Sequence, residues 1–138
     1  MKGSYFSKDI RELLVILGTH AVRYVIVGGE AVIYHGHARL TGDVDIFYDR
    51  TEDNTRRLYD ALIAFWKGPV PGIGSAGEFL SAGVIVQFGA PPNRVDLLNA
   101  IDGVSFEEAW ASRVEVEMES AGERTTLHYL GLEELIRN

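Results

Sequence analysis

Val27-Gly28-Gly29-Glu30-Ala31, then residues 32–42, then Asp43-Val44-Asp45-Ile46: this stretch decides how the chain is read. Arg23 to Val27 is a short β-branched run ending at a glycine pair, which marks a buried strand. Glu30 to His35 fits a short helix stopped by Gly36, and Val44 to Tyr48 is the next strand. Residues two apart on a strand point to the same side, so Asp43 and Asp45 can converge on one point. Gly28 and Gly29 permit a tight turn and a close backbone approach to a ligand, with no Cβ in the way. A glycine turn at a helix start offers N–H groups to a phosphate. Two carboxylates beside such a cradle point to a divalent metal carrying a nucleoside triphosphate.

A third acid extends the pattern. Arg94-Val95-Asp96-Leu97-Leu98 sets one carboxylate in a strand whose Val95 and Leu97 face the other way. A lone carboxylate among apolar residues is costly to bury unless it is paired or bound to metal. If this strand lies beside the one carrying Asp43 and Asp45, Asp96 completes a triad able to hold two metal ions. One ion would sit on the triphosphate and the other would activate an attacking hydroxyl. Asp96 is then the base for that hydroxyl, or the group that orients it.

The flanking sequence predicts a mixed α/β domain. Ile10, Leu13, Leu14 and Leu17 lie at helical spacing between Ser7 and Gly18. Thr51-Glu52-Asp53-Asn54 is helix-start chemistry for a second helix to about Trp66. Gly68 to Gly83 is a long Gly/Pro/Ser-rich connection with room for a short helix, anchored by Phe79 and Leu80. Two hairpins are expected, Val84–Phe88 with Arg94–Leu98 and Arg113–Met118 with Arg124–Tyr129. Ser105 to Ala111 reads as a short helix, and Gly131 to Arg137 opens a last amphipathic one.

Composition narrows the functional classes. A chain of 138 residues supports one core. Its net charge of −7 opposes a broad, sequence-independent grip on nucleic acid. Arg39, Arg56, Arg57 and Arg94 remain candidates for a local basic patch near phosphate. The acidic runs Glu107-Glu108, Glu115/Glu117/Glu119 and Glu133-Glu134 read as solvated faces. With no cysteine, disulfides and thiolate metal sites are excluded. No apolar run is long enough to span a bilayer and the N-terminus lacks signal-peptide character, so a cytoplasmic location with no membrane partner is expected. His35 and His37 flank a helix-ending glycine and read as surface residues, His20 and His128 as structural ones, and Phe65-Trp66 as core.

Together these motifs resemble the DNA polymerase-β-like nucleotidyltransferase superfamily. More narrowly, Val27-Gly28-Gly29-Glu30-Ala31-Val32 with His35-Gly36, Arg39, Thr41 and Asp43-Val44-Asp45-Ile46 is similar to small stand-alone bacterial and archaeal nucleotidyltransferases. Those are akin to the nucleotidyltransferase halves of abortive-infection and toxin–antitoxin systems. The resemblance runs from about Tyr24 to Leu98, and Leu130-Gly131-Leu132-Glu133-Glu134-Leu135-Ile136 fits the family's closing helix. It implies a single nucleotidyltransferase domain over residues 1–138, of α/β (α+β) class, with helices packed mainly on one face of a mixed sheet. Gly28 and Gly29 would contact the triphosphate, with Arg39 and Thr41 near its phosphates. Asp43, Asp45 and Asp96 would be the catalytic acids and metal ligands. The implied cofactor is Mg²⁺, as two ions, with Mn²⁺ the alternative. The implied substrate is a nucleoside triphosphate, ATP first, whose nucleoside monophosphate passes to a hydroxyl on RNA, protein or a small molecule as pyrophosphate leaves.

This chain carries Gly29 and Glu30 where many relatives place serine. It ends at Asn138, before the Lys- and Arg-containing helices of related proteins, so a C-terminal truncation or a partner protein supplying the acceptor site is expected. Two other functions fit the same residues. One is a catalytically silent, antitoxin-like binding module; the other is a two-metal nuclease or phosphohydrolase.

Overall fold

A computed structural model describes residues 7–27, 43–89 and 94–137. The Gly28–Gly29 turn, the Glu30–His35 helix, Arg39 and Thr41 lie outside those residues, as does the side chain of Asp43. Helix α1 (Lys8–Thr19) begins where Ser7 Oγ accepts the Ile10 N–H at 3.3 Å. It runs one residue past Gly18, and its last turn is closed by His20 Nδ1 against the Ile16 carbonyl at 3.0 Å. Helix α2 (Glu52–Trp66) is capped by Thr51, whose Oγ1 accepts the Asn54 N–H at 3.2 Å. Lys67, in the left-handed conformation, ends it.

Six strands form one mixed sheet in the order β3-β4-β2-β1-β6-β5. They are β1 (Tyr24–Val27), β2 (Asp43–Tyr48), β3 (Ile85–Phe88), β4 (Arg94–Leu98), β5 (Val114–Ser120) and β6 (Glu123–Tyr129). β2 runs parallel to β4 and antiparallel to β1, while β1 runs parallel to β6. Both expected hairpins are present as β3–β4 and β5–β6. Ala121 and Gly122, both at positive φ, form the second hairpin's two-residue turn.

The helix stripes explain the layering. Ile10, Leu13, Leu14 and Leu17 of α1 join Leu58, Ala61 and Leu62 of α2 in one core with Ile26, Ile46, Leu97 and Tyr129. Gly18 lies so close to Thr125 of β6 that a Cβ there would collide with Thr125 Oγ1. The opposite face is covered in part by the short helix α3 (Phe106–Ala111), where Phe106 meets Phe47 edge-on at 5.3 Å. Ser105 caps α3 in a reciprocal box with Glu108. The last helix, α4 (Leu132–Arg137), leaves Leu132 and Ile136 exposed.

The Gly68–Gly83 connection carries a 3₁₀ turn, Ala76–Leu80, that buries Phe79 completely. Asn99 ties this connection to the sheet. Its Nδ2 donates to the Ser81 carbonyl at 2.7 Å, the Phe79 carbonyl at 3.2 Å and Tyr48 Oη at 3.1 Å, and its Oδ1 accepts the Gly83 N–H at 2.9 Å. Burial pushes the Tyr48 hydroxyl up to about 12, against opposing effects from Asn99 and Arg50. One acidic run departs from expectation: Glu134 is buried rather than solvated, its Oε1 packed close to Gly131.

Candidate functional site

Strand register brings two of the three expected acids together. On the parallel pair β2–β4, Asp45 stands opposite Asp96 and Asp43 stands opposite Arg94. Neighbouring strands lie about 5 Å apart and paired residues share a face, so one cation can reach both Asp45 and Asp96. β1 ends at Val27, opposite Asp45, so the chain enters residues 28–42 at the acid end of the sheet. On the outer side Gln87 of β3 pairs with Asp96, which adds an exposed amide to the row. Gln87 was invisible to motif reading, because only the hairpin register places it there.

The two described acids differ in burial. Asp45 is half-buried, whereas Asp96 is only 8% exposed. Asp96 Oδ1 is buried and has no hydrogen-bond partner among the described residues. Its nearest cation, Arg94 Nε, is 3.5 Å away, longer than a good charge-assisted hydrogen bond. A carboxylate oxygen left this way carries a desolvation cost of a few kcal/mol, roughly, unless a ligand compensates it. Oxygen donors on adjacent strands, one of them unsatisfied, are the donor type that Mg²⁺ or Mn²⁺ prefers. Among the described residues no three metal-ligating side chains cluster, and the third expected ligand, Asp43, has its side chain outside them.

The expected basic patch does not assemble from α2. Arg57 pairs with Asp53 on its own helix at 2.6 Å, and Arg56 is exposed beside it. Of the four arginines, Arg94 is the one beside the acids, while Arg39 lies outside the described residues. Phe65 and Trp66 pack together, and Trp66 meets Phe88 at 5.6 Å. Phe88 pairs with Val95, so this aromatic group occupies the face opposite Asp96.

A second polar cluster lies at the other end of β1. Arg23 Nη1 meets Asp49 Oδ2 at 2.9 Å, and the guanidinium sits 4.9 Å from the Trp110 ring centroid. Arg113 stacks on Trp110 at 3.7 Å and bonds to His128 Nδ1 at 3.2 Å. A cleft of about 760 Å³, lined by Val22, Arg23, Trp110, Thr126 and His128 among others, opens beside them. Burial raises the Asp49 carboxyl above its ordinary value, although Arg23 opposes the shift. Burial, aided by Arg113 and opposed by Glu115, lowers His128. These groups satisfy one another, which fits the structural role expected of His128.

Compared with known proteins, the chain matches no family model, no curated protein and no solved structure. Among the described residues, no helix is long and apolar enough to cross a membrane.

Proposed function

We propose that this chain is a metal-dependent nucleotidyltransferase of the polymerase-β-like kind, acting in the cytoplasm. The observation that carries the reading is the buried, unsatisfied Asp96 oxygen set in register with Asp45. Buried polar groups nearly all acquire hydrogen-bond partners, so an open, buried carboxylate oxygen is a place for a ligand, an ion among them. Asp43, Asp45 and Asp96 would hold Mg²⁺, and the glycine pair with Arg39 and Thr41 would seat the triphosphate. When bound, the metal supplies positive charge where negative charge develops on the phosphates. The acceptor hydroxyl attacks the α-phosphorus, its proton passes toward Asp96, and the bond to the leaving pyrophosphate breaks. What the protein contributes is mainly positioning.

The test needs no acceptor. Thermal unfolding is followed with each nucleoside triphosphate, with and without Mg²⁺, for wild type and Asp45→Asn. Nucleotide at a hundred times its Kd adds about 2.7 kcal/mol of stability, a plainly raised midpoint. A Mg²⁺-dependent shift, strongest with ATP and lost in Asp45→Asn, is the expected result. No shift with any nucleotide sinks the transferase reading in favour of a silent binding module. A shift accompanied by nucleic-acid cleavage without pyrophosphate release replaces it with a two-metal hydrolase.

A further inference from the structure

We infer that two copies of this chain pair through β3, antiparallel and about a two-fold axis at Val86, so that the sheet of each continues into the other. The two edges of the sheet are built differently. β5, at one end, carries exposed Glu115, Glu117 and Glu119 at alternate positions. β3, at the other, reads Ile85-Val86-Gln87-Phe88, without charge or proline, and among the described residues it pairs with β4 alone. A strand edge offers a row of N–H and C=O groups, and natural edges are commonly guarded by charge, proline or a bulge. Both faces beside β3 are apolar as well. Ile85 is 66% exposed on the face that carries Asp96, and Trp66, 38% exposed, packs on Phe88 at 5.6 Å on the other. Single exposed apolar residues are ordinary; grouped along an unguarded edge, they mark an interaction site.

Charge selects a second copy as the occupant. Two chains of net charge −7 repel each other, least where their surfaces are neutral, and β3 is such a place. Faces alternate along a strand and opposed residues share a face, so in a two-fold antiparallel pair one residue stands opposite itself. For β5, full overlap sets glutamate against glutamate, which is destabilising. For β3, an axis at Val86 sets Val86 against its own copy and Ile85 against Gln87, and neither pair carries charge. It also sets Val84 against Phe88, beside Trp66. An axis at Gln87 would instead place Ile85 opposite Gly89, which lies at positive φ just past the strand. With the axis at Val86, the row Asp45–Asp96–Gln87 is extended by the partner's Ile85, so the second copy adds an apolar residue at the outer end of the acid row. The pairing needs no metal and is therefore separable from the nucleotidyltransferase reading.

Sedimentation equilibrium of the whole chain tests this without metal or nucleotide. Short paired strands make a small interface, so wild type is expected as a reversible dimer with a Kd of roughly 10 μM. Val86→Lys and Val86→Glu each set like charges opposite one another and should weaken self-association at least about tenfold. Mixing the two variants in equal amounts should restore the dimer, because lysine then faces glutamate across the axis. Ile85→Lys, at a position mostly in solvent, carries the test if the Val86 variants do not fold, and should weaken the dimer roughly tenfold. A wild type that stays monomeric up to about 1 mM overturns the proposal and leaves β3 to a strand from an unlike protein. A dimer that survives both Val86→Lys and Ile85→Lys is built elsewhere and overturns it too. Val86 variants that fold but stay monomeric when mixed overturn the two-fold register, and assemblies larger than a dimer replace it with head-to-tail stacking.

Discussion

Asp49, just past the end of β2, and Asp96, beside its start, are both buried carboxylates, and the fold treats them differently. Asp49 is held on several sides. Arg23 reaches it at 2.9 Å, its N–H donates to the Arg23 carbonyl at 3.2 Å, and its own carbonyl accepts Asn54 Nδ2 at 2.8 Å. Arg23 in turn is flanked by the rings of Phe106 and Trp110. Asp96 has a distant Arg94 and one oxygen without a hydrogen bond among the described residues. Burial alone therefore does not mark a functional acid. The informative property is burial without satisfaction, since an unmet polar group is costly and persists where something else compensates it.

The largest expected effect lies at the satisfied end. Asn54 is fully buried; its Oδ1 accepts the Arg23 N–H at 2.7 Å and its Nδ2 donates to the Arg23 and Asp49 carbonyls. Asn54→Ala takes the side-chain partner from the Arg23 N–H and the Asp49 carbonyl, while the Arg23 carbonyl keeps the Asp49 N–H, and should cost about 3 kcal/mol in urea unfolding. A loss below about 1 kcal/mol would mean that water replaces the amide and that this end is no clamp. Next comes the direct contrast. Arg23→Met strands the Asp49 charge and should cost roughly 2 kcal/mol, discounted because about a third of Arg23 meets solvent. Asp96→Asn removes a poorly compensated charge, so in the absence of metal it should cost less than about 1 kcal/mol. Equal losses in the two variants would break the comparison and make Asp96 an ordinary structural acid.

Local signals carried most of the fold. Ser7, Thr51 and Ser105 each cap the helix whose start they mark, because N-cap chemistry is written in one side chain and its neighbours. The apolar stripes of α1 and α2 and the turn at Ala121-Gly122 are likewise local. Gly18, one residue before the end of α1, is required by the approach of Thr125, a tertiary contact that the helix pattern does not disclose. Glu134 is buried for a like reason, through packing near Gly131 that no acidic run discloses. At the site, Asp45 and Asp96 could be named as strand acids on a shared chemistry. Their register depends on pairing between strands about 50 residues apart, which periodicity does not encode, while Gln87 is placed by the register of the β3–β4 hairpin.

The smallest expected effect concerns pH, and it probes the satisfied end from its other side. His128 lies 4.9 Å from Trp110 and 5.4 Å from Tyr24, with Arg113 and Glu115 against its Nδ1. Burial first and Arg113 second lower its pKa, so the fold prefers the neutral ring. The unfolded chain protonates this histidine near pH 6.5 and the folded chain only at lower pH. Its stabilising contribution is therefore present above about pH 6.5 and is lost as pH falls through the folded value. Asp49 has the opposite sign: its raised pKa favours the fold in acid, and that contribution fades as pH rises through the folded value. Because Asp49 is common to both proteins, the difference between wild type and His128→Gln isolates the imidazole. Melting from pH 7.5 down to 5.5 should show wild type losing stability more steeply than His128→Gln. Parallel slopes would mean that water reaches the ring despite its neighbours, and that the end of the sheet read here as closed and satisfied is open to solvent.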